Sequence, residues 1–277
     1  MERMTETATA ESDWQTYHER RELAVVQPLG SLALVNTQVI DAEQTVWGVP
    51  GLWAPLPEGE SGLRVTADAA DGIHVDGVLV DGEAIMRGKD HATPSEVVFS
   101  PTLRAFVIAQ EGGGYALRVF DAESEEIKNF GGIDAFPYDP AWVITAAWSE
   151  NPAGTTMGFE HLKDIGHTRE EVIPGSIRFT HDGADYDLAA FKSGRALQLV
   201  FADATSGEST YSVGRFLYLA PNPDGTITLD FNRAVIPPCA FSYAFNCPLP
   251  PKQNRFPFAV EAGEKNAMAA DGSLLHA

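Results

Sequence analysis

Cysteine is scarce: Cys239 and Cys247 are the two in a chain of 277 residues, too few for the disulfide framework of a small secreted domain. Positive charge is scarce as well. Nineteen Lys and Arg stand against 39 Asp and Glu, a formal net charge of −20. That field repels polyanions, and no basic stripe offsets it, so nucleic acid is not an expected partner. No run approaches the ~20 uninterrupted apolar residues of a membrane helix. The opening MERMTETATAESDW has acidic residues before any apolar run and lacks the charged and apolar regions of a secretory signal. The expected address is cytoplasmic, with no membrane partner. What is present is 44% hydrophobic residues cut by 25 Gly and 18 Pro, enough apolar material for a core but in segments too short for long helices.

Residues 1–12 read as a flexible tail, small and polar. Ser12 and Gln15 match a capping box and predict a helix over Asp13–Val25. Trp14, Tyr17, Arg21 and Val25 share one face of it, and Glu11, Glu19 and Glu22 the opposite, solvated face. Short β-prone runs follow at 32–35, 62–65, 73–80, 96–99, 103–110 and 115–120, with Asp76-Gly77 as a tight hairpin turn and Gly112-Gly113-Gly114 as a looser one. The triple glycine lacks the Lys and Ser/Thr of a phosphate-binding loop. A second body begins near Asp139. There WVITAAWS puts Trp142, Ile144 and Ala146 on one face, and His181-Asp182-Gly183 and Pro223-Asp224-Gly225 are turns between strands. Hairpins need partners on both edges. The expected fold is therefore mainly β: an antiparallel β-barrel or β-sandwich with an N-terminal helix, its 13–265 body divisible near 139 into two interlocked β lobes, followed by a tail over 266–277.

The chemistry concentrates late in the chain. If Ile227, Leu229 and Phe231 face the core, then Thr228, Asp230 and Asn232 face away from it. Arg215, on the strand before the Pro-Asp-Gly turn, reaches Asp230 if the two strands pair, either as a clamp for a carboxylate or phosphate or as a structural lock. Asp203 starts an Asx or Ser/Thr turn, or joins Asp230 as the acidic pair of a hydrolase. The prolines around Cys239 and Cys247 exclude a helix or central strand and demand a rigid loop. The two thiols are read as packed, disulfide-bonded, cofactor-contacting or reactive, with no metal site because two cysteines fall short of four ligands. Asn254, Arg255 and the Glu261–Lys265 run lie at a pocket rim, or Glu261 and Glu264 simply pair with Arg233 and Arg255.

The runs LDFNRAVIPPCAFSYAFNCPLPPKQNRFPFAVEAGEK (229–265), FADATSGESTYSVGRFL (201–217) and NFGGIDAFPYDPAW (129–142), with the opening WQTYHERRELA, resemble the family of unknown function numbered 1684. The resemblance implies identity without chemistry, since the family brings no activity. Its pattern falls here on residues that include Asp203, Arg215, Asp230, Asn232, Arg233, Cys239, Cys247, Asn254, Arg255 and Glu264. Val235-Ile236 stands where the family usually has Tyr-Asn, which removes a hydroxyl and an amide.

The leading expectation is a protein that binds a small polar or anionic molecule through Arg215, Asp230, Asn232, Arg233, Asn254 and Arg255. One alternative is a small-molecule hydrolase with Asp203 or Asp230 as base and an arginine stabilising developing charge. The other is a non-catalytic structural or protein-interaction domain. Flavin or nicotinamide use is open, because a β-barrel can host either without a Rossmann motif, and so is a homodimer.

Overall fold

The computed structural model describes residues 2–57, 59–110 and 113–276, with side chains from residue 9 on. The fold is mainly β, with antiparallel sheets and one long helix at the amino end. Two compact units divide the chain. One comprises the residues up to Leu23, Phe130–Phe241 and those from Asn246 on; the other comprises Ala24–Asn129 and Ser242–Phe245.

The first unit is built on a six-stranded antiparallel sheet. Its order is Arg215–Leu219, Ala196–Phe201, Ala184–Ser193, Gly175–His181, Val143–Glu150 and Thr226–Asp230. Alternation puts Ile177, Leu188, Ala190, Leu199, Leu217, Ile227 and Leu229 into one core, none more than 1% exposed. The sheet coils into a nearly closed, barrel-like form. Its two end strands are successive in sequence, and the turn between them makes an isolated bridge from Pro221 to Ile227. Asp182 and Gly183 turn the Gly175–His181 and Ala184–Ser193 hairpin, both at positive φ. Thr156–Glu160 and Thr168–Val172 form a separate ribbon.

The second unit has a six-stranded and a four-stranded sheet over a core that includes Trp53, Leu63, Val65, Ile73, Met86, Val97 and Leu117, all buried. Asp76 and Gly77 form the expected tight turn between His74–Val75 and Val78–Leu79. In the triple-glycine turn, Gly112 lies outside the described residues, while Gly113 and Gly114 take positive φ.

Three expectations change. The helix α1 runs from Glu2 to Val25, so the segment expected to be a tail is helical from residue 2, and nothing at Ser12 ends it. The carboxy-terminal stretch expected to be a tail begins inside the strand Glu264–Ala269, which pairs with Phe130–Ala135. The Arg215 and Asp230 strands do not pair with each other; they sit at opposite ends of the six-strand order, paired with Ala196–Phe201 and Val143–Glu150.

Candidate functional site

Asp203 follows the strand Ala196–Phe201, where the chain leaves the sheet. Its backbone neighbour Ala202 exchanges hydrogen bonds with the 254–256 segment: Ala202 N–H donates to the Asn254 carbonyl and Phe256 N–H to the Ala202 carbonyl. The Asp203 side chain closes an Asx turn. Oδ1 accepts from Thr205 N–H at 2.8 Å, from the Thr205 hydroxyl at 2.6 Å and from Val260 N–H at 3.2 Å. Oδ2 accepts from Arg215 Nη2 at 2.8 Å, and both side chains are fully excluded from solvent. Arg215 Nη2 also donates to the Val260 carbonyl, and Nη1 to the carbonyls of Ala262 and Glu264. Its guanidinium carbon lies 5.2 Å from the Phe201 ring centroid. One donor, Nε, has no acceptor. Burial pushes the Arg215 pKa down from its ordinary value, and Asp203 opposes that shift. Two ions in the interior cost several kcal/mol of desolvation each, which the ion pair and the carbonyls around the guanidinium offset. The flanking glycines make the closeness possible. A Cβ at Gly214, φ +99°, would lie within van der Waals overlap of the Phe201 carbonyl, and one at Gly263, φ +80°, 2.7 Å from the carbonyl oxygens of Phe231 and Ala234.

Asp230 ends its strand and caps the 3-10 turn Phe231–Arg233. Phe231 drops into the core against Phe201, ring centroids 5.3 Å apart; Asn232, expected on the opposite face, is buried as well, because the chain has left the strand for the turn. Asp230 Oδ1 accepts from the Asn232 backbone N–H at 3.2 Å and side-chain amide at 3.0 Å, and Oδ2 meets Arg233 Nε at 3.3 Å. Asn232 is itself buried and clips the Asp139 peptide, accepting from its N–H at 2.8 Å and donating to its carbonyl at 2.9 Å. Asn254 does the same inside the unit. Its Oδ1 accepts from Ala189 N–H, and its Nδ2 donates to the carbonyls of Ala189 and Val200 at 2.8 Å each. Arg255 is exposed and donates from Nε to the Pro250 carbonyl.

A helix face completes the arrangement. Trp14 Nε1 donates to the Asn232 carbonyl at 3.2 Å and the Tyr17 hydroxyl to the Arg233 carbonyl at 3.3 Å. Arg21 donates from Nε to Glu264 Oε1 at 3.0 Å and from Nη2 to the Ile236 carbonyl at 3.2 Å. Ile236 N–H fills the other Glu264 oxygen at 2.8 Å. The spacing of Trp14, Tyr17 and Arg21 predicts this face. Burial pushes the Glu264 pKa up to about 7, against the pull of Arg21 and the Ile236 N–H, and pushes the Tyr17 pKa up to about 12. Glu22, expected in water, instead accepts from Ile133 N–H at 2.9 Å. Val235 and Ile236 are buried and serve through their backbones: Val235 exchanges two hydrogen bonds with Phe216.

The single opening expected around Arg215 and Asp230 thus separates into distinct contacts. Arg215 pairs with Asp203 rather than Asp230, because the strands that carry Arg215 and Asp230 form no ladder with each other. Asp203 and Asp230 are each engaged with an arginine of their own. Glu264 pairs with Arg21, not with Arg233 or Arg255. Arg21 stood among apolar positions on the helix face, and that placement was the signal for a buried partner; its identity was not readable. Cys239 and Cys247 are both buried and are not joined in a disulfide. Two openings of about 350 and 420 Å³ lie along the Gly175–His181 and Ala184–Ser193 hairpin, and both include Arg178 and Asp187, already ion-paired at 2.9 Å. Neither is lined by any of the predicted site residues. Among the described residues, no three His, Cys, Asp or Glu side chains are grouped to hold a metal ion, and no helix is long and apolar enough to cross a membrane.

A family model described as "Protein of unknown function (DUF1684)" matches residues 128–265. The solution NMR structure of an uncharacterized protein from Haloarcula marismortui is 35% identical over 50% of this chain and 77% of its own, with a TM-score of 0.41. No curated protein matches the chain.

Proposed function

The chain belongs to the DUF1684 family of proteins of unknown function, and we propose that in it the late polar motif is an internal clasp of a non-catalytic structural or protein-interaction domain. The observation that carries this reading is the Asp203–Arg215 pair, whose side chains have no exposure to solvent. A ligand anchored on Arg215 would have to displace Asp203 and the carbonyls of Val260, Ala262 and Glu264. A base at Asp230 would have to give up Asn232 and Arg233. The clasp reading uses every one of these contacts as it stands: Asp203 and Arg215 hold the 260–264 loop, Asn254 holds two strands, and Glu264 holds α1 through Arg21.

A second reading rests on Arg233. Its side chain is 51% exposed beside Tyr17, so a small polar or anionic molecule can compete with Asp230 for it. Two measurements separate these readings. The purified wild type and Asp230→Asn are incubated with a panel of small esters, phosphates and carboxylates; the clasp reading expects no turnover by either, and turnover by wild type that Asp230→Asn abolishes overturns it in favour of a hydrolase. Native mass spectrometry of wild type and Arg233→Ala is expected to find no retained molecule. A small molecule held by wild type and lost from Arg233→Ala would establish the second reading instead.

A further inference from the structure

The clasp leaves the two cysteines without a role, and their placement is specific. Cys239 lies in the 3-10 turn Pro238–Ala240, and Cys247 eight positions on, both buried. Cys239 N–H donates to Cys247 Sγ at 3.3 Å, which brings the Cys247 sulfur against the Cys239 residue. Between them the chain leaves one compact unit, contributes Ser242–Phe245 to the other, and returns. Within that second unit the Ser242 hydroxyl donates to the Leu34 carbonyl, Ala244 N–H donates to the Ser242 hydroxyl at 3.1 Å, and the Phe245 ring lies under the Arg118 guanidinium at 5.3 Å. The two thiols therefore flank the 242–245 segment, one on each side of it in sequence.

We propose that Cys239 and Cys247 are a reversible dithiol–disulfide site whose oxidation by hydrogen peroxide closes the base of the Ser242–Phe245 loop. One thiolate attacks a peroxide oxygen; the O–O bond breaks, hydroxide leaves and takes up a proton as water, and a sulfenic acid remains. The second sulfur then displaces the sulfenic hydroxyl, the S–S bond forms, and a second water leaves. Two thiols and one peroxide thus give one disulfide and two waters. Hydrogen bonding from the Cys247 sulfur, with Tyr211 adding to it, holds the Cys239 thiol below the ordinary thiol range, which favours the first step. Burial favours the second, because a sulfenic acid packed against a thiol meets that sulfur before it meets bulk oxidant. A thiol reductant reverses the reaction. Closing this short ring removes freedom from the loop's open states, so opening of the docked tip becomes rarer.

The test uses the full-length protein. It is treated with hydrogen peroxide, its free thiols are alkylated under denaturing conditions, and it is digested and mapped by mass spectrometry. The expected product is a cross-linked peptide pair containing Cys239 and Cys247, an intact mass lower by about 2 Da, and full recovery of both thiols after dithiothreitol. Backbone amide exchange within 243–245 is expected to slow by roughly tenfold on oxidation. Cys247→Ser is expected to lose both the cross-link and the slowing. Sulfinic or sulfonic acid on either cysteine without a cross-link, or two thiols still alkylated after peroxide, would overturn the site. A cross-link with unchanged exchange at 243–245 would overturn closure of the loop base. The wild-type mapping decides the site even if the variant does not fold.

Discussion

The motif carries two aspartate–arginine pairs of the same composition in different surroundings. Asp203–Arg215 has no solvent exposure on either side chain, at 2.8 Å, with further acceptors fixed around the guanidinium. Asp230–Arg233 spans one 3-10 turn at 3.3 Å, with the arginine half exposed. In the first, protein groups alone take the place of water around both charges; the second competes with water. The same pair of residue types is therefore an interior ion pair in one place and a surface contact in the other, and the difference lies in burial and in the acceptors that surround the buried guanidinium.

Removing one partner should separate the two pairs most sharply. Asp203→Ala strands a buried guanidinium and is expected to cost about 3–5 kcal/mol of stability in urea unfolding, with much of the loss recovered when Arg215→Met is added. A loss below about 1 kcal/mol would erase the contrast.

Glu264 lies between the extremes, a buried carboxylate whose partner Arg21 is 20% exposed. Its folded pKa is raised, so between its ordinary value of 4.5 and about 7 the folded state holds a proton that the unfolded chain has lost. Stability should therefore fall as pH rises through that window, by on the order of 3 kcal/mol, and stay level above it. Glu264→Gln should flatten this slope; an unchanged slope in the variant would assign the pH dependence elsewhere. The smallest effect is expected at the surface pair. Arg233→Ala should change stability by less than about 1 kcal/mol, and by less still as added salt screens the pair; a larger loss would show that the Tyr17 contact carries more than the ion pair does.

Much of this arrangement was legible residue by residue. Alternation placed Ile227, Leu229 and Phe231 inward, and helical spacing put Trp14, Tyr17 and Arg21 on one face; both patterns follow from backbone periods that act within a few residues. The turns at Asp76-Gly77 and Asp182-Gly183 were readable because few residues accept positive φ. Partner choice was not. Arg215 and Asp230 flank a plausible hairpin turn, yet the strands that carry them take other neighbours in the sheet. The Glu264 partner lies 243 positions away, a separation at which no local pattern carries information.

Composition, strand period and turn chemistry alone thus determined that this acidic chain folds as antiparallel β-structure behind an amino-terminal helix, with its polar residues gathered near the carboxy end. Only the tertiary structure decided which charge meets which, and whether water reaches them. Side-chain direction is set by local dihedrals, whereas pairing and burial depend on sheet order, which distant segments of the chain fix together.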